Sequence, residues 1–223
     1  MAVEVIRSSI FEFESDVKKL RRLARKWGLH NSINFTDIDD YDDDDDSRCP
    51  FYYLVDYYPV NKEVVETEDI WKNRWLVWDF KCSKIEKWDP LKHASANSKI
   101  YSAFISKLQE TFGEYCKDLT LFFVPTSKKE DYSRRYGMFN TFLMNNNFPV
   151  KTSYHNVHFY KDSKPKHLGG NGMPEVGISC VKGAKIIIID DVLTSGKTVQ
   201  RYVWKLESLG ASVIGCMVVG KTV

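Results

Sequence analysis

Two neighbouring aspartates, Asp190 and Asp191, directly follow the four isoleucines of residues 186–189. An unbroken apolar run of this kind is typical of a strand buried on both faces of a parallel sheet, and ligands of such sheets bind beyond the carboxyl ends of the strands. Successive side chains diverge along a strand, so the two carboxylates can accept hydrogen bonds from neighbouring hydroxyl groups. The pair therefore favours a vicinal diol, as in a sugar.

The residues after the aspartates have the composition of an anion site. They contain hydroxyl side chains, a lysine and a glycine, and a helical pattern of apolar residues begins at Val199. Unpaired N–H groups and the helix dipole at a helix start favour phosphate, and a glycine lets the backbone approach phosphate oxygens closely. A diol next to a phosphate describes a ribose 5-phosphate. The residues that this pattern assigns to phosphate are Thr194, Ser195, Gly196, Lys197 and Thr198.

Residues 186–198, IIIIDDVLTSGKT, resemble the signature with which type I phosphoribosyltransferases bind phosphoribosyl pyrophosphate (PRPP). The resemblance implies that the catalytic residues Asp190 and Asp191 hold the ribose 2′ and 3′ hydroxyls. It further implies that the 5′-phosphate is wrapped by Val192, Leu193, Thr194, Ser195, Gly196, Lys197 and Thr198. It also implies transfer to a nitrogenous acceptor, with Mg²⁺ bound through PRPP. In the 6-oxopurine transferases an aspartate that faces the base begins the loop. Thr194 takes its place here, which argues against hypoxanthine or guanine as acceptor.

A wider stretch, residues 75–223, resembles the ComF-like, competence-associated branch of that family. The shared order is WDFK (78–81), a helix, FFVPTSKK (122–129) and RRYGMFN (134–140). Cationic and hydroxyl donors suit a departing pyrophosphate, because it carries several negative charges. The residues that this resemblance assigns to pyrophosphate are Thr126, Ser127, Lys128, Arg134 and Arg135.

The chain departs from the ComF-like pattern in two places. The cysteine zinc motif at the start is reduced to Cys49, so we expect no structural metal. The arginine of the family's RGFN element can correspond to either Arg134 or Arg135. Residues 161–175 lie where the family keeps a mobile hood over the substrate, and their lysines and glycines suit a lid. An ordinary surface loop explains that composition equally well.

Two nucleotide-triphosphatase patterns also occur, and both are disfavoured. Residues 215–222, GCMVVGKT, match the P-loop pattern literally, but no helix follows Lys221 and Thr222 to direct amides at phosphate. Residues 186–191 resemble a Walker B strand. The Gly-Lys-Thr that follows them lacks the leading glycine of a P-loop, because Asp191 occupies its position.

The elements around the motif predict an α/β class, the parallel-sheet type I phosphoribosyltransferase fold with an N-terminal α+β extension. A strand, a helix and a strand in succession over residues 186–219 imply a βαβ unit with a right-handed crossover. We expect an extension at 1–70 and a phosphoribosyltransferase domain at 71–223. Helices are predicted at 15–28, 97–116, 137–144 and 199–209, and strands or extended segments at 51–60, 75–80, 119–124, 150–160, 176–179, 186–189 and 212–219.

The run 37–46 carries eight aspartates in ten positions, which predicts a solvated loop because like charges repel. A Ca²⁺ loop is the sharper interpretation, but the glycine and the distal glutamate of an EF-hand are missing. The four tryptophans Trp71, Trp75, Trp78 and Trp88 are expected to pack in the core or an interface, since no run of basic residues interleaves them as in a base-stacking surface.

Composition restricts the partners. The net charge of +2 is too small for electrostatic capture of nucleic acid or of an anionic membrane. The five scattered cysteines suggest reduced thiols, and no apolar run is long enough to span a bilayer. We expect a cytoplasmic enzyme with PRPP and a nitrogenous acceptor as partners, and a homodimer is left open. The alternatives are a non-catalytic PRPP- or nucleotide-binding regulator or DNA-uptake accessory protein, and a partner-binding role for residues 1–70.

Overall fold

The computed structural model describes residues 16–27, 32–33, 49–82, 89–164, 169 and 173–223. The acidic run 37–46 and Trp88, with their predictions, lie outside these ranges. Near the amino terminus, helix α1 (16–24) continues into a 3-10 turn at Arg25–Trp27, which confirms the predicted helix. Its buried face consists of Val17, Leu20 and Ala24.

Among the described residues, eight strands form two sheets. They are β1 (Ser32–Ile33), β2 (Cys49–Tyr57), β3 (Leu119–Phe123), β4 (Lys151–Thr152), β5 (Val157–Lys161), β6 (Glu175–Ile178), β7 (Lys185–Leu193) and β8 (Ser212–Thr222). The central sheet has the order β1-β2-β8-β7-β3-β4 and is parallel except for β1, which pairs antiparallel with β2. The predicted α/β class with a parallel sheet is confirmed. Strand β2, within the expected N-terminal extension, belongs to this sheet.

Strand β7 lies in the middle of the core. Residues 186–189 are fully buried because β3 pairs on one side and β8 on the other. The strand end predicted at Ile189 is correct for the pairing with β3 but not for the pairing with β8. Pairing with β3 stops at Phe123 opposite Ile189, whereas pairing with β8 continues to Leu193 opposite Lys221. Asp190 and Asp191 therefore lie within β7, beyond the end of β3, where β7 pairs only with β8.

Four longer helices pack on the central sheet: α2 (Glu68–Lys81), α3 (Pro90–Phe112), α4 (Lys129–Asn145) and α5 (Lys197–Ser208). The strand predicted at 75–80 is wrong, because this aromatic segment belongs to α2. Thr67 caps the helix by accepting a hydrogen bond from the amide of Ile70. The buried residues of α2 are Arg74, Val77 and Phe80, a three-residue spacing that fits one face of a helix rather than alternate faces of a strand.

Helix α4 is longer than predicted. The helix predicted at 137–144 already begins at Lys129, so it contains Arg134 and Arg135 as well. Helix α3 confirms the helix predicted at 97–116, but it starts at Pro90, where Asp89 caps the amides of the first turn. A 3-10 turn, Gly113–Asp118, follows it.

Helix α5 joins β7 to β8, so these elements form the predicted strand, helix and strand with parallel neighbours. Gly210, in the left-handed conformation with φ 82°, follows the helix as expected. Residues 215–222 lie in β8, in agreement with the dismissal of a P-loop there.

The second sheet is an antiparallel pair, β5 and β6, on either side of the segment expected to form a hood. The Ser163 amide bonds to the Ser127 carbonyl at 2.8 Å, and Lys205 Nζ on α5 bonds to the Val176 carbonyl at 2.9 Å. The pair is thus attached to the loop after β3 and to helix α5. Residues 165–168 and 170–172 lie outside the described ranges, and lid closure stays a prediction.

All five cysteines are free thiols, and only Cys180 is exposed. Within the described ranges, no helix combines the length and the apolar character needed to cross a membrane.

Candidate functional site

The carboxyl edge of the central sheet brings together three segments that were singled out from the sequence. The loop after β3 leads into α4, the end of β7 carries the aspartates, and the following turn leads into α5. The amide of Val124 bonds to the carbonyl of Ile189 at 2.9 Å, which keeps the first loop beside β7 as the two strands separate. A fourth element, the last turn of α2, reaches the same edge through Lys81.

The acidic pair is bound by protein cations. The Arg135 guanidinium on α4 donates a hydrogen bond from Nη1 to the Asp191 carboxylate, and Lys81 Nζ lies 3.4 Å from the same oxygen. Asp190 Oδ1 accepts a hydrogen bond from the Asp191 amide at 2.8 Å. Asp190 is 8% exposed and the Asp191 side chain 14%. The carboxylates were expected to lie open to a ligand, but β8 and the Arg135 side chain leave little of them accessible.

The two carboxyl groups differ in proton affinity. Burial raises the pKa of Asp190 to about 7, and the adjacent charge of Asp191 adds to the effect. Burial acts in the same direction on Asp191, but the positive charges of Lys81 and Arg135 outweigh it and lower the pKa of that group. At neutral pH Asp191 is therefore the charged member of the pair, while Asp190 is near its titration midpoint.

Helix α3 fixes the two turns that carry the cations. The His93 ring lies between two main-chain carbonyl groups, with Nδ1 2.6 Å from Asp79 O and Nε2 3.2 Å from Arg134 O. About two turns further along, the Tyr101 hydroxyl donates to the carbonyl of Arg135 at 3.0 Å. These buried contacts join the end of α2 and the middle of α4 to α3.

Sequence reasoning missed the roles of Lys81, His93 and Tyr101. Lys81 ends the WDFK segment, and this match was the available signal for it, although it gave the lysine no partner. His93 and Tyr101 contact main-chain atoms of other helices, which no local pattern identifies.

The turn from β7 into α5 presents unpaired polar groups. Gly196, at the N-cap of α5, has φ 72°, and no side chain caps the helix. The first helical hydrogen bond runs from the Gln200 amide to the Gly196 carbonyl at 2.9 Å. The amides of residues 197–199 accordingly have no acceptor among the described residues. Thr194, Ser195 and Lys197 are exposed.

This arrangement has the physical properties of an anion site. Amides at a helix start point outward with partial positive charge, and a phosphate group can accept several of them at once. The left-handed backbone at Gly196 aligns the turn with the helix without steric cost, because glycine lacks a Cβ. The predicted phosphate-binding segment is thus one continuous turn, from the end of β7 to the first residues of α5.

The residues expected to bind pyrophosphate separate into two groups. Thr126, Ser127 and Lys128 lie in the loop after β3, where Thr126 Oγ1 bonds to the Lys128 carbonyl at 2.6 Å. Arg134 is ion-paired with Asp131 on its own helix. Arg135 instead contacts Asp191, so it is the arginine of the two that lies beside the aspartates. The assignment of either arginine to pyrophosphate stays a prediction.

A resident metal site is not formed by these residues. In the part of the chain that the structure describes, no three side chains of His, Cys, Asp or Glu are grouped so as to hold an ion. Asp190 and Asp191 supply two carboxyl groups, one of them neutralised by two cations. Mg²⁺ commonly binds through one or two carboxylates together with substrate phosphates. The donor set fits an ion that arrives with a phosphorylated ligand, not one held by the protein alone.

Parts of the chain are similar to known proteins. Residues 144–221 match the phosphoribosyl transferase domain. The transcriptional regulator GfcR of Methanobrevibacter smithii is 36% identical over 69 residues, 31% of this chain and 34% of that protein, so this chain spans about a third of the relative's length. The purine phosphoribosyltransferase of Pyrococcus horikoshii is a structural neighbour with a TM-score of 0.32 and 20% identity, covering 56% of this chain and 82% of that one.

The matched segment contains β7, the following turn, α5 and nearly all of β8. Both halves of the candidate site that were identified from the sequence, the acidic pair and the uncapped turn, fall inside it. A phosphoribosyl transferase domain match therefore covers the candidate ribose phosphate site of this chain.

Proposed function

We propose that the protein is a phosphoribosyltransferase that uses PRPP to transfer a ribosyl phosphate group to a nitrogenous acceptor and releases pyrophosphate. One observation carries this proposal: two aspartates at the carboxyl edge of a parallel sheet lead directly into an uncapped helix start, within a segment that matches the phosphoribosyl transferase domain. Asp190 and Asp191 bind the ribose 2′ and 3′ hydroxyls, and residues 192–198 bind the 5′-phosphate.

The reaction exchanges one bond at the anomeric carbon of the ribose for another. The bond to the pyrophosphate oxygen breaks, the electron pair leaves with pyrophosphate, and the acceptor nitrogen forms the new bond and releases its proton. Positive charge develops on the sugar in between. Carboxylates fixed beside the ribose stabilise that charge, and cations beside the leaving group stabilise the pyrophosphate. The side chains act mainly by position and charge.

Mg²⁺ enters this proposal as part of the substrate. The ion shields the charge of the diphosphate and makes it a better leaving group. The carboxylates that this proposal places beside the ribose are those of Asp190 and Asp191.

A second candidate is a regulator that binds PRPP or a nucleotide without turning it over. The 36% identity with a transcriptional regulator over 69 residues favours it. A fold used for catalysis can serve binding alone, since function depends on the site and not on the fold. A ComF-like accessory role in DNA uptake belongs to the same class of proposal and has its support in the sequence order of residues 75–223.

Turnover distinguishes the two candidates. The full chain is titrated with PRPP in the presence and absence of Mg²⁺, and is then incubated with PRPP, Mg²⁺ and a panel of nucleobases and amines while released pyrophosphate is measured. An enzyme releases pyrophosphate with at least one acceptor. PRPP binding without release for any acceptor supports the regulator, and the absence of PRPP binding contradicts the enzyme and any regulator that acts through PRPP.

A further inference from the structure

Asp191 is the shared anionic partner of two cations that come from different helices. Lys81 ends α2 and Arg135 lies in α4, and their side chains converge on one carboxylate oxygen, Oδ2 of Asp191. The proposed function gives this carboxylate another task, which is to bind a ribose hydroxyl. It also requires cations for pyrophosphate close to the ribose. Lys81, Arg135 and Asp191 meet both requirements only if the two cations exchange Asp191 for pyrophosphate.

We infer that Asp191 is an internal substitute for pyrophosphate: Lys81 and Arg135 release its carboxylate and bind the pyrophosphate of the incoming ligand, which frees Asp191 for the ribose. This inference rests on the proposed function and assigns Lys81 to the site. It also reconciles the expected role of Arg135 at pyrophosphate with its observed contact to Asp191.

Arg135 has hydrogen-bonding capacity left for a second anion. Its Nε atom is buried without a hydrogen-bond partner among the described residues, and its Nη2 makes only a long contact of 3.4 Å to the Lys81 carbonyl. A guanidinium group offers five N–H donors and can bind a phosphate through two of them. The group can therefore accept a pyrophosphate oxygen without first losing every existing contact.

An anion from solvent reaches the site on the side of Lys81. Its side chain is 32% exposed, compared with 8% for Arg135. An anion from solvent meets the lysine first and the guanidinium second. Pyrophosphate carries more negative charge than one carboxylate, so it competes well for two adjacent cations.

The main chain beneath the cations stays fixed during such an exchange. His93 contacts the carbonyls of Asp79 and Arg134, and Tyr101 bonds to the carbonyl of Arg135. The two cations therefore remain at the site when Asp191 turns away, and only side chains have to move. Preorganised charges of this kind bind an anion without a large reorganisation cost.

The exchange predicts opposite effects of one substitution on two ligands. In Asp191→Asn the cations lose their internal partner and become available to inorganic pyrophosphate, so its affinity rises. The same change removes an acceptor for the ribose hydroxyl, so the affinity for ribose 5-phosphate falls. Loss of one negative charge by itself strengthens the binding of both anions. The opposite signs therefore separate the exchange from a general electrostatic effect.

The test is calorimetric titration of the full chain with inorganic pyrophosphate and, separately, with ribose 5-phosphate, without divalent cations. For Asp191→Asn we expect pyrophosphate to bind about tenfold more tightly and ribose 5-phosphate about tenfold more weakly, as for one charged hydrogen bond gained or lost. The matched control is Asp16→Asn, which breaks the Asp16–Lys185 ion pair at the opposite end of β7 and should change neither affinity.

A second variant keeps the inference testable if Asp191→Asn does not fold. Lys81→Gln removes the more accessible cation and should weaken pyrophosphate binding while ribose 5-phosphate binding changes little. Unchanged or weaker pyrophosphate binding by folded Asp191→Asn, or equal effects of Lys81→Gln on both ligands, overturns the exchange. If the wild-type chain binds neither ribose 5-phosphate nor PRPP, the proposed function itself fails, and this result is distinct from the others.

Discussion

The two halves of the candidate site are adjacent in the chain but differ in how the fold treats their polar groups. Asp190 and Asp191 are largely buried, and cations from two helices compensate the charge of Asp191. The turn at residues 194–198 is mostly exposed, with amides that have no acceptor among the described residues. The acidic pair therefore contributes to the packing of the fold as well as to the site. The polar groups of the turn have no evident structural role. Substitutions in the two halves should therefore differ in their effects on stability and on ligand binding.

The largest effect is expected from Arg135→Met. Removing the guanidinium leaves the partly exposed Lys81 as the remaining cation beside the buried Asp191 carboxylate. Breaking a buried ion pair typically costs about 3–5 kcal/mol. Urea denaturation should therefore show a large loss in the free energy of unfolding. The control is Arg134→Met, the preceding residue, whose ion pair is confined to Asp131 within the same helix. Equal losses in the two variants would mean that the Arg135–Asp191 ion pair contributes no more to stability than the Arg134–Asp131 ion pair.

The protonation of Asp190 should make stability depend on pH. Its folded-state pKa is raised to about 7, above the usual value in an unfolded chain, so the folded protein holds a proton that the unfolded chain has lost. The free energy of unfolding should consequently fall as the pH rises from about 4 to about 7, by at most about 1.4 kcal/mol per pH unit.

Asp190→Asn should remove this part of the pH dependence. Urea denaturation at pH 5, 6, 7 and 8 measures it as the difference between the wild-type chain and the variant, which cancels the contribution of the histidines. Parallel stability curves for the two proteins would contradict the assignment to Asp190.

A smaller effect on stability, but a specific effect on binding, is expected from Gly196→Ala. The left-handed backbone at this position, φ 72°, costs a residue with a Cβ about 1–2 kcal/mol. The distorted turn should also weaken ribose 5-phosphate binding about tenfold, the value of one charged hydrogen bond. Gly210→Ala is the matched control, because Gly210 has φ 82° at the other end of α5. It should show a similar stability loss in thermal unfolding and unchanged affinity.

The smallest effect is expected from Ser195→Ala. The side chain is exposed, and surface substitutions of this kind usually change stability by less than about 0.5 kcal/mol. Loss of a hydroxyl donor to phosphate should weaken ribose 5-phosphate binding by roughly 1 kcal/mol, the net contribution of an ordinary hydrogen bond. Paired titration and thermal unfolding test this. A clear loss of stability with no loss of affinity would assign the turn to the structure instead of the ligand.

The sequence predicted the half of the site whose structure is local. The isoleucines of residues 186–189, the glycine at 196 and the apolar spacing from Val199 define a strand, a turn and a helix within one short segment, and each is present. The parallel sheet could be predicted for the same reason, because a strand, helix and strand in sequence restrict the pairing of the two strands.

What the sequence could not show depends on contacts between distant segments. The aromatic residues 75–80 suit a strand by composition, and only the Thr67 cap and the packing of one face make them helical. The contact of Lys81 and Arg135 with Asp191 requires α2 and α4 to meet beside β7, and the burial of Asp190 requires β8 to extend beyond β3. No local pattern carries that information.

The central claim is that the start of α5 binds the phosphate of a phosphoribosyl ligand. Hydrogen exchange of the backbone amides, measured on the full chain with and without PRPP and Mg²⁺, tests it most directly. We predict that PRPP slows exchange at residues 194–199, where the described structure provides few acceptors of its own. PRPP binding that leaves these amides unchanged while it protects another region would contradict the account.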